Sequence, residues 1–209
     1  MPEMRLGLLL VISAPSGTGK STLIRRLCAE FPRLAFSISY TTRAPRAEEV
    51  NGREYYFISE QEFTGLREQN ILAEWAEVHG HHYGTPRPAV LDMLAQGRDV
   101  LFDIDIQGAR QLQKVFAHGA FVFLLPPSKH ALEQRLQRRG TEDRETLARR
   151  LGNARKEIEQ AVFFDFQIVN DDLEQAYHEL RAVYLAESLR SRCNPTLAET
   201  ILATWDEDG

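Results

Sequence analysis

Residues 8–23, LLLVISAPSGTGKSTL, leave few folds open. The apolar run 8–12 ends in a Gly-rich turn, and Lys20, Ser21 and Thr22 then open an amphipathic segment through Leu23, Ile24 and Leu27. This reads as strand, loop, helix. Such a loop aims several backbone N–H groups at one phosphate, while the helix behind it adds the positive end of its dipole. Gly17 and Gly19 admit the positive φ and close backbone approach that the nest requires. Lys20 would then reach the β and γ phosphates of a nucleotide, and the Ser21 hydroxyl would ligate Mg²⁺. The pattern G-x-x-x-x-G-K-[ST] is met at Gly19, Lys20 and Ser21, with Ala14 in place of its first Gly.

At 209 residues and 43% hydrophobic content the chain fits one domain, or one domain with insertions, around a real core. Its net charge of −5 argues against a general nucleic-acid binder, because phosphate-backbone affinity needs broad positive potential. Any anion site must be local. The N-terminal apolar run is too short for a membrane span and leads into the phosphate loop rather than to a cleavage site, so a soluble, cytoplasmic protein is expected, with no membrane partner. Cys28 and Cys193 have neither metal nor redox spacing and do not make a disulfide framework. Oligomeric state is not legible.

Along the chain, the first helix should span 20–30 and stop before Pro32, and 34–39 (LAFSIS) alternates as one strand. A polar stretch follows, SYTTRAPR and then VNGREYYF, in which Asn51-Gly52 signals a hairpin. Ser59 and Glu62 form a capping box. Short strands at 71–78 and 82–85 flank a turn at His79-Gly80. Residues 37–85 thus read as a small, mostly antiparallel insertion. Helix and strand then alternate: helix 86–96 closed by Gly97, buried strand 100–105, helix 107–115, buried strand 120–125, helices 128–139 and 144–160, strand 166–169 and helix 173–188. That alternation implies a parallel sheet covered by helices on both faces. Residues 193–209 form an extension with one short helix and an acidic end.

Three further groups of residues suggest chemistry. Arg43, Arg46, Tyr55 and Tyr83 lie in the insertion; arginine forks and tyrosine hydroxyls suit a second phosphate. Asp103 and Asp105 end a buried strand beside the phosphate loop, where a carboxylate holds Mg²⁺ or its water, or meets substrate; capping the next helix is the ordinary alternative. Arg135, Arg138, Arg139, Arg144, Arg149 and Arg150 straddle Gly140. Many of these would simply face solvent, but Arg135, Arg139 and Arg150 on a mobile helical hairpin would close over a transferring phosphoryl group. His79, His81 and His82 invite a metal reading, which alternation of strand faces and the lack of a Cys or carboxylate at ligand spacing disfavour.

Taken in order, SAPSGTGKSTL, SYTTRAPRAEEVNGREYYF, ILAEWAEVHGHHYGT, VLFDIDIQGA, FLLPPS with RRGTE, and IVNDDL resemble the guanylate kinase family over nearly the whole chain. Ala14 resembles the bacterial form of the loop. The resemblance implies a guanylate kinase-like domain at 4–191, with a P-loop NTPase core at 4–36, 86–134 and 157–191. It also implies a GMP-binding insertion at 37–85, a helical lid at 135–156, and an extension at 192–209. It implies Mg²⁺-dependent transfer of a phosphoryl group from ATP to GMP, in purine nucleotide metabolism. ATP would lie on Ala14, Pro15, Ser16, Gly17, Thr18, Gly19, Lys20 and Ser21, with Asn170 near the adenine. The GMP phosphate would meet Arg43, Arg46, Tyr55 and Tyr83, and Ser39, Glu74, Thr85 and Asp103 would meet the guanine or its surroundings. Lys20, Arg43, Arg135, Arg139 and Arg150 would gather the developing charge. Mg²⁺ would rest on Ser21, with Asp103 or Asp105 through water.

The implied chemistry needs no general base, since a phosphate monoester with a second pKa of about 6 is largely dianionic at neutral pH. A carboxylate at Glu74 would accept from guanine N1–H and the exocyclic amine, whereas adenine offers an acceptor at N1; such mispairing discriminates strongly. Two rivals are a non-catalytic guanylate-kinase-like module for phosphorylated partners and a sugar-phosphate kinase on the same scaffold. Gly17, Gly19, Lys20 and Ser21 weigh against the first, and Ser39, Glu74 and Thr85 against the second.

Overall fold

The computed structural model describes residues 5–78, 80–138 and 144–205. In chain order these form β1 (Leu9–Ser13), α1 (Lys20–Glu30), β2 (Leu34–Phe36), β3 (Ser39–Thr41), β4 (Tyr55–Phe57) and α2 (Glu60–Glu68). Next come β5 (Leu72–Val78), β6 (His81–Pro86), α3 (Arg87–Ala95), β7 (Asp99–Asp103), α4 (Ile106–Val115) and β8 (Ala120–Leu125). The chain continues through α5 (Lys129–Arg138), α6 (Arg144–Ile158), β9 (Phe166–Val169), α7 (Leu173–Ser188) and α8 (Leu197–Trp205).

Five strands make a parallel sheet in the order β2-β7-β1-β8-β9. Its central strand β1 is buried at every position, as its unbroken apolar run demands. Alternate residues feed opposite faces. Leu8, Leu10 and Ile12 pack with Leu23 and Leu27 of α1 and Leu180 and Tyr184 of α7. Leu9 and Val11 pack with Val90 of α3, Ala109 and Leu112 of α4, and Phe121 and Phe123 of β8. Each such side chain, once fully buried, contributes roughly 1.5–3 kcal/mol. A smaller cluster of Leu132, Leu136 and Ala154, with Leu147 and Leu151, joins α5 to α6.

One buried carboxylate ties the sheet together at the end away from the glycine loop. Asp99 accepts a fork from Arg5 at 2.8 and 3.0 Å, the Leu8 N–H at 2.7 Å and the Tyr184 hydroxyl at 2.6 Å. Burial, and then the bond to Asp99, push the Tyr184 phenol up from its ordinary value.

The second sheet has the order β4-β3-β6-β5. Two sequence expectations change here. Residues 34–39 are not one strand: β2 pairs with β7 in the parallel sheet, whereas β3 pairs with β6 in the other. The alternation continues across the break, but alternation cannot say which neighbour accepts the hydrogen bonds. Nor do strands flank Asn51-Gly52 as a hairpin, since β3 and β4 are parallel. The turn itself is real, with Gly52 at φ 83 and Asn51 Oδ1 accepting the Phe57 N–H at 2.9 Å. Pro45 has no N–H for a ladder, and the Glu49 carboxylate turns back onto Arg43 and the Arg46 N–H, so this segment folds as a loop.

The Ser59 capping box is present. A further change concerns strand 100–105, which runs instead from Asp99 to Asp103 and leaves Asp105 to cap α4 by accepting the Gly108 N–H at 2.9 Å. Ser128 and Asp172 cap the next helices by accepting from Ala131 and Gln175. Among the described residues no helix is long and apolar enough to cross a membrane.

Candidate active site

Strand β1 delivers the chain into a loop whose shape is set by two glycines in the left-handed region, Gly17 at φ 90 and Gly19 at φ 99. A side chain at Gly19 would also collide with Asn170, whose Nδ2 lies 2.5 Å from where a Cβ would sit. Gly19 directly precedes the first turn of α1, so backbone N–H groups and the helix dipole converge there. Ala14, Pro15, Ser16, Gly17, Thr18, Gly19, Lys20 and Ser21 all line one cavity of about 420 Å³, together with Asp103, Asp105 and Glu157.

Lys20 is ion-paired with Asp103 from the end of the neighbouring β7. Asp103 is therefore the carboxylate that faces the loop's cation, and Asp105 is the helix cap. Both still line the cavity. Ser21, Asp103 and Asp105 offer hard oxygens of the kind Mg²⁺ takes largely through its own waters, so Mg²⁺ fits the residues present, while the described residues hold no cluster of three acids that could grip a metal directly. The half-buried Glu157 was not foreseen; burial, and then Asp105, push its carboxyl up. Nothing in its local sequence marks it out from Glu145 on the same helix or Glu159 two residues on.

Asn170 is buried, and its side-chain amide donates to Thr18 O at 2.7 Å. It braces the loop from behind. Arg135, on α5, donates to Asn170 O at 2.8 Å and reaches Thr18 O at 3.5 Å, which brings the helical hairpin against the same loop. Arg150 lies on α6. Arg139 lies outside the described residues.

The second sheet assembles the remaining residues. Ser39 Oγ and Thr85 Oγ1 are 2.9 Å apart, and the Thr85 hydroxyl donates to Glu74 Oε1 at 2.7 Å. Strands β3, β6 and β5 thus place one residue each in a continuous polar chain. Glu74 is 7% exposed. Burial raises its carboxyl to about 7, with the Thr85 bond lowering it and Asp105 raising it further. Gln111 of α4 fastens β5 to the core by accepting the Trp75 N–H at 3.1 Å and donating to Trp75 O at 2.8 Å. Sequence reasoning also passed over Gln111, which its neighbours do not distinguish.

Arg43 donates from Nε to the Tyr83 hydroxyl at 3.2 Å, and the Tyr55 and Tyr83 rings meet edge-on at 5.8 Å. Three of the four residues expected at a second phosphate are therefore adjacent, and Arg46 follows on the same loop. Glu49 forks onto Arg43 at 2.9 and 3.0 Å and accepts the Arg46 N–H at 2.7 Å. Its place in the RAEEV string was the available signal, since it is the acid six residues beyond Arg43. These contacts, Arg43 first, hold the Glu49 carboxyl below its ordinary range and the Arg43 guanidinium above its own. His82 stacks on Phe63 and meets Glu60 at 2.8 Å through Nδ1, while His79 lies outside the described residues.

Comparison with known proteins adds the following. The sequence model of the family described as Guanylate kinase matches residues 7–187. The guanylate kinase of Nitratidesulfovibrio vulgaris is 56% identical over 207 residues, covering 99% of this chain and 100% of the relative. That of Oleidesulfovibrio alaskensis is 57% identical over 205 residues, covering 98% and 100%. The crystal structure of guanylate kinase from Anaplasma phagocytophilum superposes with a TM-score of 0.69 at 31% identity, covering 94% of each chain.

Proposed function

The chain belongs to the guanylate kinase family, and we propose that it is an ATP:GMP phosphotransferase that moves the γ-phosphoryl group of ATP to GMP, giving ADP and GDP. The observation that carries this reading is the pairing of two unlike sites. One is a glycine-built phosphate cradle ending in Lys20, and the other is a buried Ser39–Thr85–Glu74 chain beside the Arg43–Tyr83–Tyr55 cluster. A sugar phosphate would have no use for a buried carboxylate chain, and a module that only binds would have none for the cradle.

The cradle N–H groups, Lys20 and the α1 N-terminus would hold the ATP phosphates. Asn170 would act near the adenine chiefly by bracing the loop. Arg43, Arg46, Tyr55 and Tyr83 would hold the GMP phosphate. Glu74, ionised, would accept from guanine N1–H and the exocyclic amine, with Ser39, Thr85 and Asp103 at its margins. Mg²⁺, held by Ser21 with Asp103 or Asp105 through water, would supply neutralising charge to the nucleotide phosphates.

The acceptor is already a dianion, so these residues would act by positioning and by electrostatic stabilisation rather than by removing a proton. Lys20, Arg43, Arg135, Arg139 and Arg150 would gather the charge that builds between donor and acceptor. Closure of the 37–85 insertion and the 135–156 hairpin onto the core would exclude water and suppress ATP hydrolysis. Two free thiols support a cytoplasmic setting.

The test is a coupled assay of ADP formation from ATP and Mg²⁺ with GMP, AMP, UMP and ribose phosphates offered separately. Turnover with GMP alone is the expected result. A folded protein inert towards every acceptor, or one that prefers a ribose phosphate, would overturn the reading.

A further inference from the structure

We infer that Glu49 is a positioning residue for the acceptor phosphate: it locks the Arg43 guanidinium so that Tyr83 presents a hydroxyl proton to that phosphate. The inference rests on the GMP reading above.

A guanidinium has five N–H groups in a fixed plane. In Arg43, Nη1 donates to Ala44 O at 2.7 Å and to Glu49 Oε2 at 3.0 Å, Nη2 donates to Glu49 Oε1 at 2.9 Å, and Nε donates to the Tyr83 oxygen at 3.2 Å. Four of the five are committed to protein acceptors. One, on Nη2, is left for an incoming anion, so Arg43 can give the phosphate a single N–H but cannot fork onto it while it forks onto Glu49. What the arrangement fixes instead is the direction of the next hydrogen bond. The Tyr83 oxygen accepts from Arg43, and its own O–H must therefore point to a different acceptor. Tyr55, edge-on to Tyr83, stays a neutral donor as well, because burial and then Tyr83 push its phenol up.

Glu49 anchors a second element of the same site by accepting the Arg46 N–H at 2.7 Å, which sets where the Arg46 side chain leaves the loop. The pair is sheltered, with each side chain 15% exposed. One carboxylate thus orders both arginines of the acceptor side. A simpler alternative makes Glu49 a plug that mimics phosphate and is expelled by it. The two predict opposite signs, since removing a plug tightens GMP whereas removing an anchor weakens it.

The experiment compares calorimetric binding of GMP and of guanosine, which lacks the phosphate, to the wild type, Glu49→Gln, Tyr83→Phe and the double variant. The glutamine amide turns an N–H donor towards Arg43 where the carboxylate offered an acceptor. Glu49→Gln should weaken GMP about 10- to 100-fold, the range for lost charge-assisted hydrogen bonds, and leave guanosine within about twofold. Tyr83→Phe should weaken GMP comparably. The double variant should be little worse than the poorer single one, because both act through one donor.

GMP binding that is tighter or unchanged in Glu49→Gln overturns the inference, as does an equal loss for GMP and guanosine, or a multiplicative double variant. If Glu49→Gln fails to fold by circular dichroism, Glu49→Asp, which keeps the charge on a shorter stem, serves under the same criteria. A folded wild type that binds no GMP removes the GMP reading along with the inference; a wild type that binds GMP while Glu49→Gln matches it removes only the role of Glu49.

Discussion

The two proposed anion sites are built from different materials. The loop after β1 is made of backbone: Gly17 and Gly19 set its curvature, and its N–H groups would hold the anion. The cleft on the second sheet is made of side chains, with Ser39, Glu74 and Thr85 joined across three strands and Arg43 tied to Tyr83 across forty residues of sequence. In both, a carboxylate rests on the principal cation, Asp103 on Lys20 and Glu49 on Arg43. The contrast teaches where each site is encoded. A backbone site is written in one continuous segment, whereas a side-chain site exists only once distant strands have paired.

If that division is right, substitutions should separate cleanly. The largest effect on substrate choice is expected at Glu74. Glu74→Gln should cut the preference for GMP over AMP by roughly 10³-fold, with the KM for ATP unchanged, because a buried acceptor would become partly a donor. Unchanged discrimination in steady-state kinetics would place base readout elsewhere.

The same residue gives a stability effect. Its carboxyl rises from 4.5 to about 7 on folding, chiefly by burial. Folding therefore favours the neutral acid. The contribution is complete below about pH 4.5 and is lost as pH rises through about 7, a change on the order of 3 kcal/mol. Thermal melts of the unliganded protein at pH 5 and pH 8 should show the wild type losing more stability than Glu74→Gln. Parallel losses would refute the assignment.

Gly19→Ala attacks the other site. With φ at 99 and a Cβ position 2.5 Å from Asn170 Nδ2, it should distort the loop at a cost of roughly 1–3 kcal/mol. ATP binding should weaken while GMP affinity stays within about twofold, and equal weakening of both would blur the comparison. The smallest effect is expected at Tyr184→Phe, which removes one of the bonds to buried Asp99. It should lower stability by about 1.5 kcal/mol in denaturant unfolding and leave kcat and both KM values alone.

These contrasts also explain what the sequence disclosed. The glycine loop, the doubly buried β1 and the helix starts at Ser59 and Ser128 are local signals, read directly from spacing and capping, whereas Asp171 and Asp172 are equal candidates for the last cap until the Gln175 N–H picks out Asp172. The break between β2 and β3 and the parallel pairing of β3 with β4 were not legible, because strand partners are chosen by tertiary contact. Asp103 and Asp105 sit two residues apart in one string and could be separated only by geometry, the first reaching Lys20 and the second the Gly108 N–H. Glu74 entered through family resemblance, since nothing about EWAEV by itself marks a buried acid. Gln111 and Glu157 matter through partners 36 and 52 positions away, Trp75 and Asp105, and no local pattern carries that information, whereas Glu49, six positions from Arg43, is marked only by its place in the RAEEV string.

The central claim is that each substrate has its own site and that only transfer needs both. The most direct test is Lys20→Ala, examined by calorimetric titration with GMP alongside single-turnover transfer from ATP and Mg²⁺. The account predicts GMP affinity within about threefold of wild type and a transfer rate lower by roughly 10² to 10⁵. A parallel fall in GMP affinity, or transfer near the wild-type rate, would contradict it.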